Sequence, residues 1–478
     1  MQYEFRGRKV KVNLNLNDEQ IAAMEEIVDF IQSDRTCLTL MGYAGTGKTT
    51  LMGIVRDIFH HDIRLQFAAT THKAAGVLKE KVNENVNTVN SLFGIVVEQD
   101  FDVEHFDVSL KKRREGDNKL MRGSVVIIDE ASMLSEENFT DVMEKCQDFH
   151  CKVIFVGDPA QLAPVKEDDI SIVFRQDLGK IIRLTKVERT GDNGILKEAT
   201  AIRNGSDLSY EDGNGITFLD NTEGKKIADV FDEFIPGLKE NPNYFRVLSF
   251  TNKNVENLNF AIRKKLGYDG LDPQEGEPMM SYANWGYDCS KRYTGTPYRF
   301  VNSESYQVVG IDKEEVKDVM NYVEFEHSGD VEIPITIKRL KLKDALGLFV
   351  TVPYIDVKNN QNNFRAAKLL SYQKQLLWNK WKTASLKDKP NFIARINEID
   401  YMLFVNDNIR DNYGFLLQGK VIDYGYAHTI HKSQGSTFNN VLINDVDICS
   451  CMDKKMRQQL RYVAITRASD NVNIIVKK

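Results

Sequence analysis

The chain has 478 residues, 42% of them hydrophobic and 28% charged, with a net charge of −6. That length suggests about three domains, and the composition is that of an ordinary globular protein rather than a bulk polycation. No apolar run reaches membrane-spanning length, and Met1 to Val10 hold no signal core.

The first legible element is a helix start. Leu16-Asn17-Asp18-Glu19-Gln20 precedes Ile21, Met24, Ile27 and Val28 at helical spacing. Asn17 suits the N-cap, and the amide of Gln20 could read an adenine edge. Next comes the β-favouring run Cys37 to Met41, then Gly42-Tyr43-Ala44-Gly45-Thr46-Gly47-Lys48-Thr49-Thr50. Leu51, Ile54, Val55 and Ile58 follow at helical spacing. Strand, G-x-x-x-x-G-K-[ST] loop and helix make a phosphate site. Backbone N–H groups at the helix start face the anion, and Gly42, Gly45 and Gly47 let the chain approach closely. Lys48 should reach the β- and γ-phosphates of ATP, and the Thr49 hydroxyl should hold Mg²⁺. Thr46 and Thr50 complete the cradle.

Up to about residue 180, short apolar runs alternate with helical patterns. Leu65 to Ala69, Val125 to Ile128 and Val153 to Val156 read as strands buried on both faces of a parallel sheet. The fold class is therefore α/β. Between Ile95 and Arg122 the texture changes. Val96, Val97, Phe101, Val103, Phe106 and Val108 fall in an irregularly alternating stretch that leads into the polar run Lys111 to Asn118, which suggests an inserted hairpin. Val125 to Ile128 ends in Asp129-Glu130, two carboxylates at the edge that faces the phosphate loop. Asp129 suits Mg²⁺, and Glu130 suits activation of the attacking water. Gln161, after the run Val153 to Val156, could sense the γ-phosphate or could sit in a plain turn.

A second α/β set follows: Ile216 to Leu219, Arg246 to Phe250, Val441 to Ile443 and Val472 to Val476. A section from about Gly286 to Tyr413 splits it. Tyr306 to Ile311, Ile333 to Ile337 and Leu348 to Val352 read as β, and Asn363 to Ala384 as helix. An inserted SH3-like barrel with a helical element is expected, and the helix's Trp378 and Trp381 read as packing. The six cysteines, at 37, 146, 151, 289, 449 and 451, show no paired metal spacing, so a reducing compartment is expected.

The order of these segments resembles superfamily 1 helicases of the 1B branch, which includes RecD-like proteins and phage Dda helicases. Leu16 to Gln20 looks like the Q motif, Gly42 to Thr50 like motif I, and Thr70 to Ala75 like motif Ia. Thr88 to Gly94 looks like the strand-contact motif that follows, Asp129 to Met133 like motif II, and Gly157 to Val165 like motif III. Leu184 to Arg189 looks like motif IV, His428 to Thr437 like motif V, and Tyr462 to Ala468 like motif VI. Motif Ia departs by carrying Thr70 where proline is common. Motif IV departs by reading Arg189-Thr190 where Arg-Gln is frequent.

The resemblance implies two RecA-like domains, over 1–94 with 123–180 and over 181–285 with 414–478. The first would carry an inserted pin hairpin (95–122) and the second the barrel-like section (286–413). It implies an ATP-dependent DNA helicase moving 5′→3′ on single-stranded DNA. Arg189 and Arg467 would reach the γ-phosphate, since a guanidinium keeps its charge and offers planar donors. Gly435 would join the nucleotide site. Thr71, His72, Asn90, Ser91, His431, Ser433, Ser436 and Thr437 would contact phosphates of the strand. Phe101, at the pin, would stack on a base. Implied partners are single-stranded and forked DNA, with a single-strand-binding protein or replisome components beyond them. A cytoplasmic monomer, phage-encoded or bacterial, is expected. An RNA helicase and a DNA-stimulated ATPase subunit remain as rival readings.

Overall fold

The computed structural model describes residues 2–477 apart from 14, 100–109, 116–117, 165–169, 176–178, 188–193, 242, 284, 288–297, 301, 313–314, 320–321, 324–327, 330–332, 345–346, 413 and 415. Two compact units emerge. One holds Met1–Gly224, Leu248–Phe250 and Thr429–Lys478; the other holds Lys225–Val247 and Thr251–His428. No helix among the described residues is long and apolar enough to cross a membrane.

The first unit contains a six-stranded sheet. Its order is Lys180–Leu184, Cys37–Gly42, Lys152–Gly157, Val125–Asp129, Leu65–Ala69 and Val86–Thr88, and every pairing is parallel. The apolar strand runs explain why it is covered on both faces. Leu38, Leu40, Val125, Ile127, Ile154 and Val156 point into one buried layer with the helices Asp18–Gln32 and Lys48–Phe59. Val126, Ile128, Val153 and Phe155 point into the other, with Phe93, Phe139 and Val142. Alternate residues of each strand thus meet opposite layers, as a period of two requires. Parallel pairing puts Gly42, Asp129 and Gly157 at one carboxyl edge, where the loops carry the chemistry.

Three further features belong to this unit. The strands Gln2–Phe5 and Arg8–Lys11 form an antiparallel hairpin through Arg6 and Gly7, both at positive φ. Burial of Phe5 and Val10 pins that hairpin to the core. The strands Ile95–Gln99 and Leu110–Glu115 pair antiparallel, from Ile95 opposite Glu115 to Gln99 opposite Leu110. The expected hairpin is therefore present, and the polar residues Lys111 to Glu115 lie in one of its strands. Phe101 and Phe106 lie outside the described residues. Lastly, Ile216–Asp220, Ala468–Val476 and Phe438–Asn444 pair in parallel, with Leu248 and Ser249 next in the order. Leu460, Tyr462, Val463, Ile195 and Ile202 pack on this second sheet and lock the helices Gly194–Arg203 and Lys454–Ile465 to it.

The other unit is built on an antiparallel sheet ordered Glu315–Val319, Ile333–Lys343, Ser305–Ile311, Pro278–Ser281 and Ile422–Tyr424, with Phe349–Tyr354 also paired to Ile333–Lys343. Where the sequence suggested a barrel, no pairing among the described residues joins the end strands. Two strands, Pro278–Ser281 and Ile422–Tyr424, come from outside the 286–413 stretch. The helices Gln361–Thr383 and Lys389–Met402 pack through Leu370, Ile399 and Leu403 against Ile335 and Ile337. Trp378, expected in that packing, is 38% exposed. Arg263 and Glu277 form a buried bidentate pair at 2.8 and 3.1 Å.

Candidate nucleotide site and nucleic-acid face

The site grows from the end of the strand Cys37–Gly42. Gly45 and Gly47 both sit at positive φ, and the helix Lys48–Phe59 starts directly after. A Cβ on Gly47 would lie 2.5 Å from Nε2 of Gln20, so only glycine fits there. Asn17 and Gln20 form a capping box on the helix Asp18–Gln32. The Gln20 amide bridges the cap and the phosphate loop: Oε1 accepts from Asn17 N at 3.1 Å, and Nε2 donates to Thr46 O at 3.0 Å. Gln20 therefore props the phosphate loop in this structure. Thr46 Oγ1 donates to Tyr43 O at 2.9 Å and tightens the turn. Thr49 is half-buried and Thr50 exposed at the helix start.

Lys48 lies folded on its own loop, donating to Gly42 O at 2.6 Å and Tyr43 O at 3.0 Å. These carbonyls occupy the ammonium that the sequence assigns to phosphate. Asp129 and Glu130 stand at the neighbouring strand end. Asp129 Oδ1 accepts from Glu130 N at 2.9 Å, and Glu130 adopts the left-handed conformation, φ 53°. Burial raises the Asp129 carboxyl. Burial first, and then the charge of Asp129, push Glu130 from 4.5 to about 7, while Arg467 and Lys48 pull it back. A carboxyl poised there suits a general base.

Motif III and motif VI meet the loop through one hydroxyl. Tyr462 Oη donates to Asp158 Oδ2 at 2.7 Å and accepts from Ala44 N at 3.2 Å. Asp158 is fully buried and its other oxygen accepts from Ala160 N at 3.0 Å. Neither Tyr462 nor Asp158 had a role in the sequence reading. A tyrosine at the head of a quoted motif was a signal, but nothing local to it points to residue 44 or 158. Glu19 was missed as well. Its carboxylate accepts from Thr185 Oγ1 at 2.6 Å and from the backbone N of Thr185 and Lys186 at 2.7 and 2.9 Å. The Thr185 hydroxyl, foremost, holds Glu19 below the usual carboxylate range. That contact anchors the chain leading to Arg189, which itself lies outside the described residues.

Arg467 corrects an expectation. The resemblance implied a side chain that reaches the γ-phosphate and so is open to the nucleotide. It is 6% exposed, and its guanidinium donates to Val463 O at 3.1 Å, Ser436 O at 3.3 Å and Thr466 Oγ1 at 3.1 Å. The end of its own helix and the turn after Ser433 hold it. Its charge nevertheless pulls the Glu130 carboxyl down.

Among the buried polar atoms that have no hydrogen-bond partner among the described residues are four from the quoted motifs: Ser132 Oγ, Gln161 Oε1, Gln434 Nε2 and Ser436 Oγ. All four fall in motifs II, III and V. Unsatisfied buried polar atoms each cost about 1–3 kcal/mol, so this part of the chain is built to be completed by a polar ligand. Donors suited to Mg²⁺ are few, namely the Thr49 hydroxyl and the free oxygen of Asp129. That fits an ion that takes most of its oxygens from water and phosphate. No group of three or more His, Cys, Asp or Glu that could hold a metal occurs among the described residues.

On the expected strand side the result is mixed. Thr71 Oγ1 accepts from Ala74 N at 3.1 Å, capping the helix His72–Val82, and His72 is exposed at its first turn. Asn90 is exposed, and Ser91 Oγ accepts from Lys119 Nζ at 3.0 Å. His431 is half-buried, with its pKa lowered by burial, and Thr437 is exposed. Ser433 contradicts its assignment: it is fully buried and donates to Ile430 O at 2.7 Å, capping its own turn. Ser436 is also buried, at 5%. Gly435, expected at the nucleotide, instead packs on motif Ia, where Ala74 Cβ stands 3.5 Å from the place a Cβ would take. Lys73 Nζ lies 5.8 Å above the Phe438 ring. Motifs Ia and V are thus brought together, while Ser91 stands with Lys119.

With this geometry established, comparison with known proteins is informative. An AAA domain matches residues 15–221, and a UvrD-like helicase C-terminal domain matches residues 424–475. The two matches cover the two sheets of the first unit in the order the motifs require. Both matches fit a superfamily 1B helicase. The ATP-dependent DNA helicase dda of Enterobacteria phage T4 is 29% identical over 277 residues, which cover 56% of this chain and 61% of that protein. The RecD subunit of the RecBCD enzyme of Buchnera aphidicola is 22% identical, over 97% of this chain and 74% of its own. Among solved structures, Pif1 helicase from Bacteroides superposes with a TM-score of 0.50 at 17% identity, covering 98% of this chain and 95% of that one. The last match speaks for the fold alone.

Proposed function

We propose that this superfamily 1B helicase hydrolyses ATP with Mg²⁺ to move 5′→3′ along single-stranded DNA, and that it separates forked duplexes. The observation that carries the reading is the meeting of Lys48, Asp129, Glu130 and Asp158 with Tyr462 and Arg467 around one phosphate loop. The first four come from the first sheet, and the last two come from the helix end that feeds the second sheet. A site shared in this way feels any relative motion of the two sheets. The phage T4 relative is an ATP-dependent DNA helicase by name, which favours DNA over RNA for this chain.

Each residue has a defined task. Lys48 exchanges Gly42 O and Tyr43 O for phosphate oxygens. Asp129 and Thr49 would hold Mg²⁺, which would supply positive charge against the phosphates. Glu130 accepts the proton of the attacking water. Gln161 offers its unsatisfied amide to the terminal phosphate. Arg467, joined by Arg189, neutralises charge that develops during transfer. Thr71, His72, Asn90, Ser91, His431, Ser436 and Thr437 bear on the strand from the sides of motifs Ia and V. The hairpin of 95–122 stands where duplex meets protein, and the section 286–413 is inserted into the sequence of the second α/β set. Single-strand-binding or replisome proteins are the natural further partners of such a monomer.

One experiment separates the readings. ATP turnover is measured alone, with single-stranded DNA and with single-stranded RNA. Strand displacement is then measured on duplexes with a 5′ or a 3′ tail. Stimulation by DNA together with displacement of the 5′-tailed duplex is expected. Stimulation by RNA alone would make it an RNA helicase. DNA-stimulated turnover without displacement would make it an ATPase subunit. Displacement from 3′ tails would overturn the polarity and leave the ATPase reading standing.

A further inference from the structure

Beside the phosphate loop lies an arginine that belongs to none of the helicase motifs quoted above. Arg203 is the last residue of the helix Gly194–Arg203, and its Cζ stands 3.4 Å from the centroid of the Tyr43 ring. Tyr43 is the second residue of the phosphate loop, and its carbonyl already takes Lys48 Nζ and Thr46 Oγ1. At that distance guanidinium and ring are in face contact, an arrangement that holds a cation without neutralising it. Arg203 Nε is buried and has no hydrogen-bond partner among the described residues. No carboxylate among the described residues pairs with the guanidinium.

The placement is rigid. Ile195, Ala199 and Ile202 of the same helix share a buried cluster with Leu460, Tyr462 and Val463. Just past Arg203, Gly205 O accepts from Gln458 Nε2 at 3.0 Å, and Asp207 pairs with Arg461 at 2.9 Å. The helix Lys454–Ile465 therefore carries Arg203 and Tyr462 together. Tyr462 in turn occupies Ala44 N, the next backbone donor of the loop. Arg203 also lowers the Tyr462 hydroxyl against the effects that raise it, so its charge is felt at that bridge. A positive group with a buried, unsatisfied donor, set against an anion-binding loop and lacking an acid, is half of an ion pair.

We propose that Arg203 is a further phosphate-binding cation of the nucleotide site, held on the Tyr43 ring and donating to the terminal phosphate when a nucleoside triphosphate occupies the loop. The proposal rests on the ATPase reading above and deepens it. The contact distinguishes triphosphate from diphosphate, because it is made only to the group that hydrolysis removes. It also ties the helix Lys454–Ile465, and through it the second sheet, to the state of the nucleotide.

The test compares Arg203→Ala, Arg203→Gln and Arg203→Lys with the unchanged chain. Affinities are measured by fluorescence with a mant-labelled non-hydrolysable ATP analogue and with mant-ADP, and ATP turnover is measured with single-stranded DNA. Arg203→Ala and Arg203→Gln should weaken the triphosphate analogue roughly ten- to a hundredfold, the range for one charge-assisted hydrogen bond, and should slow turnover. Affinity for ADP should stay within about twofold, since one contact fewer to a group absent from ADP changes nothing there. Arg203→Lys, which keeps charge but not the planar fork, should fall between. Equal weakening of both nucleotides would reduce Arg203 to a structural support, and unchanged triphosphate affinity in all three variants would also overturn the proposal. Should Arg203→Ala fail to fold, Arg203→Gln and Arg203→Lys keep the packing of the side-chain stem and still decide between these outcomes. If the unchanged chain binds neither nucleotide and hydrolyses no ATP, the ATPase reading itself fails. If it does both and the variants match it, only the role of Arg203 fails.

Discussion

Replacing Glu130 by glutamine should separate what this carboxyl does for catalysis from what it costs the fold. Folding raises Glu130 from 4.5 to about 7, chiefly by burial and then by the adjacent charge of Asp129. An acid raised in this way costs no stability below about pH 4.5, costs progressively more as pH climbs to about 7, and costs a constant amount above that. At about 1.4 kcal/mol per pH unit the full cost is about 3 kcal/mol, an upper figure for a half-buried side chain. Glutamine keeps the shape and carries no charge. Glu130→Gln should therefore stabilise the nucleotide-free protein in EDTA at pH 8, read as a later first transition in urea. The gain should shrink at pH 5.5. ATP turnover should be abolished in the same variant, while Mg-ATP still binds, because only the water-activating group is lost. A variant less stable than the parent at pH 8, or equally stabilised at both pH values, would refute the electrostatic argument. Near-normal turnover would refute the assignment of the base.

Arg467→Ala should cut turnover by roughly 10³, the scale of an arginine finger. Because its guanidinium is buried on three acceptors, the variant should also lose thermal stability, and an unchanged melting curve would contradict that burial. Replacing Phe101 to Arg114 by a short Gly-Ser turn should leave DNA-stimulated turnover intact and lower duplex unwinding, measured on a 5′-tailed fork. Loss of both would make the hairpin a structural support, and loss of neither would move strand separation elsewhere. Arg263→Ala strands the Glu277 carboxylate, whose side chain is 1% exposed, and should cost about 3–5 kcal/mol in chemical denaturation. A cost below about 1 kcal/mol would mean that the pair is solvated.

Much of the first sheet was legible because its signals are local. A phosphate loop needs glycines, lysine and threonine at set spacing between a strand and a helix, and all lie within nine residues of chain. Strands buried on both faces must be apolar throughout, which marked Val125 to Ile128 and Val153 to Val156 before any pairing was known. The cap at Asn17 is equally local. The amino-terminal hairpin escaped because its strands are only four residues each and one of them, Arg8–Lys11, is charged at three of its four positions; burial of Phe5 and Val10 and the contacts of Tyr3 and Arg8 with the core hold it. Only the tertiary structure decided the rest of the site. Residues 43, 44, 158, 203 and 462 meet across hundreds of positions, and no spacing rule connects them. Ser433 and Thr437 stand four residues apart in one motif, yet one is buried and one exposed, because the chain turns between them to pack on Ala74. Arg467 read as an arginine that reaches the γ-phosphate and is buried, since the end of the helix before it and the turn at Ser436 offer three acceptors to its guanidinium. Local sequence determines which chemistry a segment can carry. Whether a side chain is free to use it depends on which distant segments claim its hydrogen bonds, and that is set only when the sheets and helices pack.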